Sequence, residues 1–170
     1  MEKFKPATEY SESITWFEGA LFNLSFSDNS ISKGSLHKKQ IVFKRTGDAP
    51  DVHGWGITHD KKSIIVTGNY SPTLFYLNPK TLKVEKTLTT NVTSLEDLAW
   101  DEKGIWASSF TEHRGQIFRI SPSDGKIEQF FTMPEPEQCP VIDGIAVDGK
   151  NLWVTGKHCP SIYLVKNPLN

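Results

Sequence analysis

Little in this sequence points toward membranes, nucleic acid or metal. No apolar run approaches the ~20 residues that cross a bilayer as a helix, and Met1 to Tyr10 is too charged for a secretory leader. Lys and Arg total 19 against 20 acidic residues, so neither sign is in excess to attract nucleic acid or an anionic surface. The five histidines, His37, His53, His59, His113 and His158, show no zinc-ligand spacing. Nothing in their spacing sets Ser109, Glu112 and His113 up as a nucleophile triad. Cysteine is scarce. Cys139 and Cys159, each followed by proline, either meet in a disulfide, which would suit a secretory compartment, or stay separate thiols in loops. The acceptor sequons at Asn23, Asn69 and Asn91 lean weakly the same way. Localisation stays open: secretory or extracellular if a leader precedes these residues, cytoplasmic otherwise.

What the chain does have is repetition. Gly56-Ile57-Thr58-His59-Asp60, Asp97-Leu98-Ala99-Trp100-Asp101 and Gly144-Ile145-Ala146-Val147-Asp148 each open an apolar segment. A short charged or glycine-containing turn follows each, then the runs Ser63 to Thr67, Gly104 to Ser108 and Asn151 to Thr155. Third runs come at Thr73 to Leu77, Gln116 to Ile120 and Ser161 to Val165, and fourth ones begin at Lys83 and Lys126. The spacing is 41 residues from Ile57 to Leu98 and 47 from Leu98 to Ile145. Short β-branched or aromatic runs separated by Asp, Asn, Gly, Pro and Ser are strand signals. A four-stranded unit repeated at this period predicts an all-β fold, a β-propeller.

Thr15 to Phe22 reads as the degenerate opening of an earlier repeat, which makes four, opening near Glu18, Trp55, Glu96 and Asp143. Residues 1–13 read as an N-terminal lead-in and 14–170 as one propeller domain. The proline-rich Met133 to Pro140 excludes a central strand and is expected over one face. Four blades are few for a ring. Either they close, or a partner closes them, or the chain is a fragment.

With the repeats laid out, the chain resembles the five-bladed glutaminyl-peptide cyclotransferases of plant and bacterial type, the glutamine cyclotransferases. The resemblance rests on Phe17-Glu18-Gly19, on Gly54-Trp55-Gly56-Ile57-Thr58 with Asp60, and on Leu74 to Pro79. It continues through Leu95 to Trp100, Ile105 to Phe110, Ile117 to Pro122, Ile142 to Ala146 and Val154 to Lys157. It implies cyclisation of an N-terminal glutamine to pyroglutamate: the α-amine attacks the γ-amide carbon and ammonia leaves. Peptides or proteins with N-terminal glutamine would be the substrates, and no cofactor is required. By the family's Glu-Gly phrase Glu18 is the proton-transfer residue, Trp55 the aromatic wall beside the substrate and Lys157 the lysine at the tunnel mouth. Departures are plain too. The first family blade, with its Phe-Thr-Gln-Gly phrase, has no counterpart; Glu96 stands where the family has asparagine; Phe110 replaces a tryptophan; Asp143 replaces the asparagine before Gly144. Phe26 stands in for a tryptophan expected downstream of Glu18.

The residue chemistry agrees with these roles. A carboxyl group can carry a proton from the attacking amine to the leaving ammonia when apolar neighbours raise its pKa, and Glu18 follows Trp16 and Phe17. Glycines on both sides of Trp55 leave one large ring projecting, the pattern of a pocket wall. Lys157 is placed to face charge developing on the amide oxygen. Trp106 and Trp153, at equivalent places in neighbouring repeats, read as core between blades. A closed ring would gather Glu18, Glu96 and Asp143 near its axis. They would then share protons, bind the substrate's ammonium, or take a structural Ca²⁺; otherwise Glu96 and Asp143 cap turns. On the resemblance, Trp55 with Phe110 packs the glutamine side chain, and Glu96, Asp143 and Lys157 position its polar ends. Two other functions remain in view: a peptide-binding propeller without catalysis, and a Ca²⁺-dependent lactonase-like hydrolase.

Overall fold

The computed structural model describes residues 10–37, 40–51 and 53–166. Among them are fifteen strands and no helix. They are β1 (Ser11–Phe17), β2 (Ala20–Ser25), β3 (Ser30–His37), β4 (Gln40–Asp48), β5 (Gly54–His59), β6 (Ile64–Gly68), β7 (Thr73–Leu77) and β8 (Val84–Thr89). The rest are β9 (Leu95–Trp100), β10 (Ile105–Ser109), β11 (Gln116–Ile120), β12 (Ile127–Thr132), β13 (Val141–Asp148), β14 (Asn151–Lys157) and β15 (Tyr163–Lys166). Each sheet is a run of consecutive strands: β1 to β4, β5 to β8, β9 to β12, and the three-stranded β13 to β15. These are the four expected blades. Of the expected lead-in, residues 1–9 lie outside the described residues and Ser11 to Ser13 open β1. Residues 167–170 lie outside them as well.

The strands fall into two compact units. One comprises Met1–Asn69 and Phe75–Thr87, the other Tyr70–Leu74 and Leu88–Asn170. The first has its own core of Phe17, Phe22, Leu24, Ile31, Ile57, Ile64, Val66 and Leu77. The second is built around Trp106, Ile117, Met133, Ile142, Ile145, Leu152 and Val154.

Within a blade, burial decides which runs look apolar. The second strands β6 and β10 are buried throughout and read as β-branched and small residues around Trp106, because both faces are covered. The fourth strand β8 is exposed nearly throughout and carries Glu85 and Lys86; β12 alternates half-buried with exposed and carries Glu128. Charges on such edges discourage pairing with another chain. The turns repeat as well. Asp60 Oδ1 accepts the amides of Lys62 and Ser63 at 3.0 and 2.7 Å, and Asp101 Oδ1 those of Lys103 and Gly104 at 3.1 and 2.9 Å. A side-chain oxygen capping its own turn explains why the repeat carries Asp at that place.

Trp106 is core as expected, fully buried with its indole donating to Asp101 Oδ2 at 2.8 Å. Trp153 is not: it is 42% exposed, although its indole reaches Asp148 Oδ2 at 3.4 Å in the same manner. The reason lies in the strand, since β14 alternates between buried and open positions whereas β10 is covered on both faces. The two cysteines do meet, in a disulfide between the segment before β13 and the one after β14.

Candidate active site

Each blade's first strand carries an irregularity near its start, and the four irregularities share one register. Between β9 and β10, Leu95 pairs with Ser109 and Leu98 with Ala107, so Glu96 and Asp97 share the place opposite Ser108. Between β5 and β6, Gly54 pairs with Gly68 and Ile57 with Val66, which puts Trp55 and Gly56 opposite Thr67. On β13 the extra residue is Asp143, between Ile142 and Gly144. On β1 it is Glu12, between Ser11 and Ser13. A bulge adds a residue to one strand, bends it and re-aims a side chain, and is over-represented beside active sites. Trp55, Glu96 and Asp143, picked out from the sequence, are therefore equivalent positions. Their counterpart on the first blade is Glu12.

Glu18 stands elsewhere. The sequence places it at the start of an inner strand among apolar neighbours, but it lies in the two-residue turn that closes the β1–β2 hairpin, with Phe17 pairing with Ala20. Glu18 and Gly19 both have positive φ, 48° and 76°, as a type I′ turn demands. A turn tip faces water, so Glu18 is exposed. It is also at the wrong end of its strand. Phe17, its neighbour, packs on His59 at 5.1 Å between rings, at the end of β5 opposite Trp55. The signal for Glu12 was present as Ser13-Ile14-Thr15, which parallels Gly56-Ile57-Thr58. The Glu-Gly dipeptide that opens the repeat in the sequence reading is the β1–β2 hairpin turn.

In the first unit, β1 and β5 pack side by side. Trp55 is 6% exposed. Gly54 is needed there because a Cβ would meet Leu24 Cδ1 at 2.7 Å; the glycine lets β2 press on the strand that presents the ring. Gly56 N donates to Thr67 Oγ1 at 3.0 Å and pins the bulge. Beside these bulges three aromatic rings line up. Phe26 follows β2 and lies 5.8 Å from Tyr10 and 4.8 Å from His53, stacked on the latter.

In the second unit the bulges of β9 and β13 are bolted together by buried polar bonds. Ile145 N donates to Asp97 Oδ2 at 2.6 Å, Asp97 N to Ser108 Oγ at 3.3 Å, and Ser108 Oγ to Ile142 O at 2.6 Å. Glu96 is half-buried beside Asp97. Asp143 is exposed as a residue, yet partial burial of its carboxyl raises its pKa above the ordinary value, with the positive charge of Lys157 acting in the opposite sense. Lys157 itself is exposed at the end of β14, opposite Val141. Phe110 follows β10, 39% exposed, its amide donating to Ser94 O at 2.9 Å. Among the described residues no three His, Cys, Asp or Glu side chains form a group that could hold a metal ion.

A model of the glutamine cyclotransferase family matches residues 2–167. The chain belongs to that family. The family's reaction is cyclisation of N-terminal glutamine on peptides, and neither the non-catalytic nor the lactonase alternative is favoured. Among solved structures, glutaminyl cyclase of Myxococcus xanthus superposes with a TM-score of 0.75 at 17% identity, covering 92% of this chain and 72% of that one. Virginiamycin B lyase of Staphylococcus aureus gives 0.58 at 20% identity, over 91% of this chain and 55% of that one. The computationally designed protein Ika4 gives 0.55 at 9% identity, over 98% and 99%. At such identities the likenesses speak for the fold, which is the β-propeller expected from the repeats. A search of the curated proteins found no match.

Proposed function

We propose that this cyclotransferase-family chain cyclises N-terminal glutamine with Glu12, rather than Glu18, as the proton-transfer group. The observation that carries the assignment is the shared register of the bulges: Glu12 occupies on β1 the place that Trp55 occupies on the neighbouring β5. In the reaction the α-amine nitrogen forms a bond to the γ-carbonyl carbon and the bond from that carbon to the amide nitrogen breaks. A proton leaves the attacking nitrogen and ends on the departing ammonia. One carboxylate, alternately base and acid, can serve both transfers. Trp55 supplies the apolar wall that holds the glutamine side chain while its chain folds back on itself. The Cys139–Cys159 bond supports an oxidising compartment for the protein.

The test is release of ammonia from a Gln-initiated peptide. Glu12→Gln should lower kcat about 10²–10⁴-fold, the usual weight of a positioned acid–base group. Glu18→Gln should leave the rate unchanged. The reverse pattern would return the role to the hairpin turn, and no turnover above the spontaneous rate in the unaltered chain would remove the activity itself.

A further inference from the structure

Cyclisation consumes only the first residue of a peptide, yet the aromatic row of the first unit extends past the place that residue would occupy. Tyr10 stands two residues before Glu12, and His53 two before Trp55. Phe26 follows Ser25, which pairs with Ser11, and lies within ring contact of both. The row thus sits at the bulged ends of β1 and β5, the end at which we place the chemistry. It is also open. Tyr10 is 56% exposed, His53 is exposed and Phe26 is only half-buried. This open edge contrasts with Trp55, which is almost fully covered.

We infer that Phe26 and His53, with Tyr10 at the end of the row, form the subsite for the second residue of the substrate and favour an aromatic side chain there. This rests on the cyclotransferase reading above. An aromatic ring adds to such a row by offset or tilted stacking, worth ~0.5–1.5 kcal/mol beyond its buried area. An apolar contact remote from the reacting atoms is felt equally in ground and transition states, so it acts through KM with little change in kcat.

The experiment compares Gln-Phe, Gln-Ala and Gln-Glu tripeptide amides. A lower KM for Gln-Phe than for Gln-Ala, by about 3–10-fold at similar kcat, is expected from stacking of this size. Phe26→Ala should erase that preference and leave kcat on Gln-Ala within reach of the unaltered chain. His53→Ala, at an exposed position, should halve it or more with at most the small Tm loss of one ring contact, which guards against a Phe26 variant that fails to fold. Equal KM values for all three peptides, or a preference that survives both variants, would overturn the subsite while leaving the activity standing. If no peptide turns over, the activity fails first, and binding of pyroglutamyl-Phe against pyroglutamyl-Ala by NMR decides the subsite. Shifts at Phe26 and His53 confined to the aromatic ligand would support it; no difference would overturn it.

Discussion

The two units build the same bulge and fill it with different chemistry. On β1 and β5 the bulge places are Glu12 with Ser13 and Trp55 with Gly56, flanked by an aromatic row. On β9 and β13 they are Glu96 with Asp97 and Asp143 with Gly144, and Lys157 ends β14. The backbone device is common, whereas the side chains diverge toward an apolar wall in one unit and a charged set in the other. The way each is held differs as well. Both pin a bulge amide to a second-strand hydroxyl, Thr67 or Ser108; the first unit then presses Leu24 on a bare glycine, whereas the second adds a buried carboxylate, a serine bridge and a disulfide. The hydrogen bonds fall on Asp97 and Ser108 because these two are buried, and polar groups buried without their partners cost ~1–3 kcal/mol each.

Reducing the disulfide is the strongest way to break this comparison. It closes a loop with a sequence separation of 20, for which the chain-entropy estimate is ~3 kcal/mol. Gly156 marks how closely the linked segments pack, since a Cβ there would meet Val141 O at 2.0 Å and Cys159 Sγ at 2.9 Å. With both cysteines changed to serine, amide protection in β13 and β14 should fall about 100-fold, the same ~3 kcal/mol read as an opening equilibrium. Protection in β2 and β6 should hold. Equal losses in all four strands, followed by hydrogen exchange, would show that the units open as one.

Next in size is Asp97. Asp97→Ala leaves the buried Ile145 amide without its acceptor and should cost about 2 kcal/mol, or about 4–8 °C in Tm. Asp97→Asn, which retains an acceptor oxygen, should cost less than half of that. Gly56, the counterpart on β5, has no side chain to play the part, so the effect belongs to the second unit alone. Indistinguishable melting of Asp97→Ala and the unaltered chain would mean that the bolt between β9 and β13 contributes little.

How far these contrasts were readable beforehand depended on whether they live in local pattern or in register. The blades were legible because turns capped by Asp60 and Asp101 recur beside apolar runs, and both signals are local. Trp55, Glu96 and Asp143 could be aligned for the same reason. The equivalence of Glu12 with Trp55 was not visible because a bulge is a relation between two strands. Nothing in Ser11-Glu12-Ser13 announces it until Ser11 is paired with Ser25 and Ser13 with Leu24. Glu18 was placed at the start of an inner strand because a Glu-Gly turn and a Glu-Gly strand opening look alike in one dimension. Trp153 teaches the same lesson, since its burial depends on what covers β14 and not on its own repeat.

The smallest expected effect is in the pH dependence, and it runs in opposite senses in the two units. Asp28, in the first, accepts from Ser25 and Ser30 and so has a carboxyl pKa below its ordinary 3.8. Its contribution to stability is present above 3.8 and fades as pH falls through the lower folded value. Asp143, in the second, is raised above 3.8 by burial. Between 3.8 and that raised value the folded chain holds more protons than the unfolded one, so stability declines as pH rises through the window. Asp143→Asn should therefore gain on the unaltered chain as pH climbs from 3 toward 7, while Asp28→Asn should lose ground over the same climb. Lys157→Met removes the cation that opposes the rise at Asp143 and should extend its window upward. Urea titrations at several pH values measure all three. A difference between Asp143→Asn and the unaltered chain that stays constant with pH would mean that the carboxyl is as well solvated folded as unfolded.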